Sequence, residues 1–573
     1  MTEVYSGSRP GRPVLLLIAS AVVLLGTLGL ALVQVERKVA LGEEYKIPDT
    51  PLRARAPRGW HVDRRDPQAF ILPVRRGAPG REQWDIDRLI RFGFARQGAF
   101  EPPADLLRGL VSTGADTPVP ARIGAFHGVQ VQQLERRRWR RYEITRESVL
   151  RMAVLPGGDV ITVRYTPMTQ LTLADLKLLD KVCSSIRLDD EKLSVSPEQA
   201  CARVGIELAF EPDWQAGLAA FPEVAGCYIG GTAEGFPAWS IGVFRTWLAG
   251  GRQPTDLLHD LAAYAWLLLD EGALRVEQWQ RHDGATVSVL RHPDPSRNRH
   301  AIDAAWVLSK SPAEVAIFYV YTNERHRAAA HAAAEKMARG LTFRPSKLVP
   351  DMDAAQRAGA ELAALLTREG VVSWWGRLPV KLLFTGETLR GSEGLRIERR
   401  PLGRRGELGY QGNVVRRVAD RFDEQTAWSI GPRATAYEYD FRTYVGDGLS
   451  IEVREERAAD ATEVTRAIKL GNGRTYRRAF RPGPTFVCKP IESVAEAQVA
   501  RSSQPHLFEG SLTLGRGTYT RLLRPLPPAD GRPRVLVQED FWPFGAVLTL
   551  DEHDEMLTYV EADARYQRLP ADR

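Results

Sequence analysis

The sequence predicts an α+β protein: an N-terminal transmembrane helix, two duplicated antiparallel-sheet α/β sandwich domains and a C-terminal β-rich domain. Three observations lead there. One uncharged apolar run stands near the N-terminus. A set of helix and strand patterns is written twice, 151 to 156 residues apart. The last third alternates apolar and polar residues with few helical stretches. At 573 residues the chain exceeds one core, and about 150 residues per domain gives three or four.

Bulk composition excludes several classes. The net charge of +7 is small for this length and its basic residues are not gathered on one face, so no nucleic-acid partner is expected. The four cysteines, Cys183, Cys201, Cys227 and Cys488, form no CxxC, which removes zinc-ribbon and thioredoxin-type chemistry. Cys183 follows Leu176 and Leu179 on the apolar face of a helix, where it reads as a small core residue. A disulfide between Cys201 and Cys227 is open to an oxidising compartment.

After a short arm (1–12), the run 13–35 holds uncharged apolar sequence from Val14 to Val33. At about 1.5 Å per residue it spans a hydrocarbon core of roughly 30 Å. A cleaved signal peptide is the alternative, with Gly29 and Ala31 as small cleavage-site residues. Charges on the two sides are balanced: Arg9 and Arg12 precede the span, and Arg37, Lys38 and Lys46 follow it. A short arm before a long folded region favours a single-pass protein with extracytoplasmic domains at the cell membrane. Residues 36–56, charged and carrying two prolines, read as a stalk.

The folded sequence starts at "PRGWHVDRRDPQAFILPV" (57–74), with strand-like Trp60, Phe70, Ile71 and Leu72. "PADLLRGL" (103–110) and "PTDLLHDL" (254–261) are matching helix starts, with Asp105 and Asp256 as N-cap or first-turn residues. "GVQVQQLER" (128–136) parallels "GATVSVLRH" (284–292). Two later strand pairs end in Tyr165–Thr166 and Tyr321–Thr322, and one five-residue insertion reconciles the offsets. Helices at 172–188 and 324–343, each with a short strand-like tail, close the two units, which gives domains at 57–190 and 198–345. The order of elements, the opening "GW", the "LP" and the "SIRL" tail resemble the PsbP-like α/β/α sandwich family over 57–188 and 207–343. That resemblance implies non-enzymatic binding or assembly factors attached to larger complexes, and no functional residue carries over.

"DMDAAQRAGAELAALLTREG" (351–370) is an amphipathic connecting helix. From 371 to 568, segments such as "ATAYEYDFRTYVGDGLSIEVREE" alternate with period two, and "GDG" (446–448) and "GNG" (471–473) supply hairpin turns. This rhythm, closing on "LTLDEHDEMLTYVEA", resembles the unclosed β-barrels of LolA-type lipoprotein carriers. The resemblance implies a concave apolar face able to hold a lipid or acyl chain.

No P-loop, dinucleotide fingerprint, nucleophile elbow or HExxH is present. Gly403, Gly406 and Gly409 fall in a hairpin context. His326 and His331 are five apart on a helix and point about 140° apart, so they cannot share a metal. "DEHDE" (551–555) reads as a solvated turn, and "ERRRWRRYE" (135–143) as a charged hairpin tip with membrane or polyanion contact as the competing reading. Of Trp374 and Trp375, which open the β-rich region, one is expected in the core. No catalytic, metal or cofactor residue is assigned. The expected role is a non-catalytic binding or scaffold protein at the membrane surface, with protein partners. The alternatives are a lipid or apolar-ligand carrier or sensor using the C-terminal region, and a hydrolase with an unrecognised site.

Overall fold

The computed structural model describes residues 40–569, apart from 49, 65, 77–82, 96–99, 111–115, 140–141, 169, 190–194, 270–273, 294–301, 369–379, 389–390, 402–409, 419–420, 432–434, 446–448, 516 and 562–564. The apolar run 13–35 lies outside the described residues. Within them no helix is long and apolar enough to cross a membrane. Among the described residues the fold is mixed α+β, with five sheets of mostly antiparallel strands. Two compact units are present. One is built on residues up to 189, and the other takes in everything from 190 onward together with 95–106 and 154–160.

The first unit begins where a stalk was expected. Residues 41–57 instead form β1 (Leu41–Lys46) and β2 (Leu52–Pro57), an antiparallel pair. In "LRARA", Leu52 and Ala54 are fully buried while Arg53 and Arg55 point out, a period-two strand whose apolar members are few and small. The main sheet of this unit uses β3 (His61–Val62), β4 (Ala69–Arg76), β5 (Gln83–Ala95), β6 (Val119–Ile123), β7 (Phe126–Trp139), β8 (Tyr142–Val154) and β9 (Val160–Pro167) in the order β3-β4-β5-β9-β8-β7-β6. Pro73 does not close β4. It sits at a register shift inside it, a place where a missing N–H is tolerated. The sequence also contributes α1 (Pro103–Leu110) and α2 (Leu173–Ser184). A capping box between Thr172 and Asp175 starts α2, which buries Leu178, Leu179, Val182 and Cys183. Its tail, β10 (Arg187–Leu188), pairs with β2, so the closing strand docks on the entering one.

The second unit repeats this plan. A helix not expected from sequence, α3 (Pro197–Val204), is capped by Ser196 and ends on left-handed Gly205. Then come β11 (Ile206–Glu207), β12 (Gln215–Leu218), β13 (Gly226–Ala233), β14 (Phe236–Thr246), α4 (Pro254–Ala265), β15 (Val276–Gln280), β16 (Thr286–Arg291), β17 (Ile302–Ser311), β18 (Glu314–Thr322), α5 (Arg327–Gly340) and β19 (Thr342–Phe343). The sheet order is β12-β13-β14-β18-β17-β16-β15, the same permutation as in the first unit, and β19 pairs with β11 as β10 pairs with β2. One landmark changes. Gly284 (φ +82°) opens the turn before β16, and its structural counterpart is Gly124 (φ +58°) before β7, whereas Gly128 lies inside β7. β14, β17 and β18 are buried at nearly every position, so helices and other layers cover both faces.

The connecting helix is no free linker. In α6 (Met352–Leu366), Gly359 lies so close to the edge of the next sheet that a Cβ there would stand 1.9 Å from the Leu507 carbonyl oxygen. That sheet has fourteen strands. Eight run in a meander: β20 (Val380–Thr388), β21 (Gly391–Pro401), β22 (Tyr410–Val418), β23 (Arg421–Ile430), β24 (Tyr437–Val445), β25 (Leu449–Arg457), β26 (Val464–Leu470) and β27 (Thr475–Phe480). After α7 (Glu492–Ala500) follow β28 (His506–Ser511), β29 (Thr518–Ala529), β30 (Arg532–Glu539), β31 (Ala546–Leu550), β32 (Met556–Val560) and β33 (Arg565–Arg568). β20 pairs with β33, so the order runs from β27 through β20 and β33 to β28. Helix α7 was not expected within the β-rich region. "ESVAEAQVA" buries Val494, Ala495, Glu496, Ala497, Val499 and Ala500 on most of its circumference, so it shows no amphipathic stripe.

The sheet curls around that helix. β26 and β28 stand twelve strand intervals apart in the order, roughly 55–60 Å across a flat sheet. Yet Val464 of β26 and Phe508 of β28 share one apolar cluster with α7, which is only about 13 Å long. The two ends are bridged by side chains: Arg466 Nη1 donates to the Gly515 carbonyl (2.9 Å) and Arg478 to the Leu514 carbonyl (3.2 Å). The result is a curled sheet whose two ends meet through side chains. The other face of β28–β30 packs on the seven-stranded sheet of the same unit. Trp247 Nε1 donates to Thr520 Oγ1 (2.8 Å), Tyr319 to the Phe541 carbonyl (2.6 Å), and buried Arg252 pairs with Asp260 (2.6 Å) and Asp540 (2.8 Å). The segments expected as a second α+β domain and a C-terminal β-rich domain thus fall in one compact unit.

Candidate functional site

The inner face of the fourteen-stranded sheet carries the candidate site, in two adjoining parts. The first is ionic. Glu492 and Glu496 are one turn apart on α7 and share a side of it. Both face Arg521 of β29: Nη1 lies 2.7 Å from Glu492 and Nη2 3.2 Å from Glu496. Glu539 of β30 is the direct cross-strand partner of Arg521, at 3.9 Å. Lys489 reaches Glu492 (3.2 Å) and the hydroxyl of buried Tyr519 (3.3 Å). A small cleft is lined by Glu492, Glu509 and Arg521 together with Val487, Phe508 and Leu523. Gly510 leaves room for the ring of Tyr519, whose nearest atom would lie 3.0 Å from an added Cβ.

Burial dominates the electrostatics. It raises the Glu496 carboxyl to about 7, although Arg521 pulls the other way. Burial likewise raises the Glu539 carboxyl and pushes the Tyr519 phenol well up. Protonated Glu496 removes one of the three negative charges that face Arg521 and Lys489. A carboxyl titrating near neutrality in a cleft suits proton exchange, and an ion-pair web produces the same shift.

The second part is apolar. Phe384 of β20 and Tyr566 of β33 are buried together, and Leu382, Leu395, Ile397, Met556 and Tyr559 pack around them half-buried. Cross-strand register puts these on the inner face: Phe384 opposes Leu395, Leu382 opposes Ile397, and Tyr559 opposes Tyr566. Met556 and Tyr559 also touch the cluster around α7, so the apolar surface runs on continuously from it.

Residues singled out from sequence lie elsewhere. His331 Nε2 bonds Asp303 (2.7 Å), while Arg291 donates to its Nδ1 (3.3 Å), which assigns the ring proton to Nε2. His326 sits at the start of α5, and burial lowers its imidazole below the usual value. Among the described residues no group of three or more His, Cys, Asp or Glu is placed to hold a metal. In "DEHDE", Asp551 accepts the N–H groups of His553 (2.8 Å) and Glu555 (3.0 Å) and pairs with Arg568 (2.6 Å), so it builds the β31–β32 turn. Asp256 accepts the Gln253 N–H (2.7 Å) and Asp105 lies in the first turn of α1. The side chains of 135–143, the glycines 403, 406 and 409, and Trp374 and Trp375 lie outside the described residues. The Arg521 cluster was missed because its members come from three separate segments. The one local signal was Glu492 and Glu496, like charges one turn apart on an Ala/Val helix, which ask for a facing cation.

No protein-family model matches the chain, and no curated protein matches it. Among solved structures, a β-barrel-like protein of the domain of unknown function DUF1849 from Brucella abortus matches at 12% identity with a TM-score of 0.25, covering 34% of this chain and 96% of that one. The isotype 1 transferrin binding protein B from serogroup B Neisseria meningitidis matches at 7% identity with a TM-score of 0.10, covering 75% of this chain and 64% of that one. Both likenesses are distant.

Proposed function

We propose that the chain is a membrane-anchored, non-catalytic binding protein, its folded part extracytoplasmic, that holds an apolar ligand against the inner face of the fourteen-stranded sheet beside α7. One observation carries this reading: Leu382, Leu395, Ile397, Met556 and Tyr559 form a half-buried apolar surface on the very face that α7 covers elsewhere. Each methylene buried there contributes about 0.8 kcal/mol, so an acyl chain is a sufficient ligand. On this reading the two seven-stranded sheets are one PsbP-like domain written twice, and the curled sheet is an unclosed barrel of the LolA kind. Their shared strand order supports the first statement and the side-chain-bridged seam supports the second.

Native mass spectrometry of the full chain, extracted from membranes in mild detergent, tests the proposal. The expected result is a co-purified apolar species that is lost in Leu395→Glu and Ile397→Glu variants. A chain that stays empty in several detergents overturns it. The buried Glu496 beside Arg521 favours one competing reading, acid–base hydrolysis in the cleft. Turnover of ester substrates that is abolished by Glu496→Gln establishes that reading instead.

A further inference from the structure

The structure assigns Cys201 and Cys227 as a disulfide site that ties α3 to β13. The two Sγ atoms are 3.9 Å apart, on elements that pack face to face, and both residues are buried in one apolar cluster. Closing the bond to about 2.05 Å takes roughly 2 Å of approach, within reach of side-chain torsions on facing elements. Small neighbours, Ala200 and Ala216, stand in the same cluster.

The chemistry balances as a two-electron exchange. Two S–H bonds break and one S–S bond forms, while two protons and two electrons pass to a small-molecule disulfide that leaves as two thiols. The hydrogen bond that the Cys227 thiol donates to Cys201, together with burial, holds it well above its usual range, so the folded pair reacts slowly. The bond therefore forms while the chain folds, and once made it is shielded from reductant. Closing a loop of 26 residues shifts the folding equilibrium by between about two and three orders of magnitude.

The test is cell-free synthesis of the full chain into detergent micelles, in parallel under oxidised and reduced glutathione. Each product is alkylated in denaturant without reductant and weighed. Two blocked cysteines are expected under oxidised glutathione and four under reduced glutathione, with a peptide linking Cys201 to Cys227. Reductant is expected to lower the unfolding midpoint of the oxidised product but not that of a Cys201→Ser variant. Four blocked cysteines in both products, or a bond through Cys183 or Cys488, overturns the assignment.

Discussion

The two seven-stranded sheets share one strand order yet hold their closing helices with opposite polarity. In the first unit the helix carries the acids. Asp175 of α2 accepts from Arg88 of β5 (2.7 Å) and Tyr165 of β9, and Asp180 pairs with Arg151 of β8. In the second the strand carries the acid: Asp303 of β17 accepts from Arg327 (3.0 Å) and His331 (2.7 Å) of α5. Strand pairing and the apolar helix face are common to both, so they are what the topology requires. The ion pair is a local device whose sign is free, provided both partners change together. A single reversal strands a buried charge.

Substitutions that remove the acid probe this contrast most strongly. Asp175→Ala takes away one half of the capping box of α2 and the partner of buried Tyr165 and half-buried Arg88, and is expected to cost about 3–5 kcal/mol in denaturant unfolding. Asp303→Ala leaves Arg327, which is 37% exposed, free to turn into water, so a smaller loss of roughly 2–3 kcal/mol is expected. Equal losses would show that cap and exposure do not set the difference.

The two units also differ in their response to pH. Burial raises the Asp175 carboxyl, but hydrogen bonds from Thr172, Tyr165 and Arg88 outweigh it and hold the group below its usual range. Its stabilisation is present above about pH 4 and is lost as pH falls further. Glu496 is raised to about 7, so the folded state binds its proton more tightly than the unfolded one, and stability falls as pH rises from the usual glutamate range through 7. Glu496→Gln is expected to flatten that fall and to gain up to about 3 kcal/mol at pH 8, read from unfolding midpoints across pH. An unchanged pH profile would remove Glu496 from the account.

Double-mutant cycles sharpen the comparison further. The Arg88–Asp175 coupling is expected to exceed the Arg327–Asp303 coupling by about 1 kcal/mol, because Arg88 is the less exposed arginine. The turn glycines give the smallest effect. Gly284→Ala meets no atom within 4 Å and costs about 1 kcal/mol for its left-handed backbone. Gly124→Ala costs more, since a Cβ there would lie 2.4 Å from the Ile186 carbonyl oxygen.

Legibility in the sequence followed locality. The closing helix of the first unit announced itself through a helical apolar stripe, and the β-rich rhythm after 371 through period-two alternation. The repeat was readable as element order, although the glycine landmark slipped from Gly124 to Gly128 because both precede alternating sequence. Three features carried too little contrast. β2 hid its buried Leu52 and Ala54 between arginines, and α7 was apolar on most sides. The Arg521 cluster draws on residues that only the curled sheet brings together. The apolar half of the candidate site lay within segments read as strands, but which face was inner depended on the β20–β33 pairing. No local pattern encodes that pairing.

That pairing joins Gly386 to Tyr566, 180 positions along the chain. The meander β20–β27 consists of neighbours in sequence and can form quickly, whereas β20 must wait for β33, far along the chain. Such high contact order delays completion of the sheet and leaves the edges of β20 and β32 bare until β33 arrives. The sheet is therefore most vulnerable to misassociation until β33 is in place, and losing that strand would leave the exposure permanent.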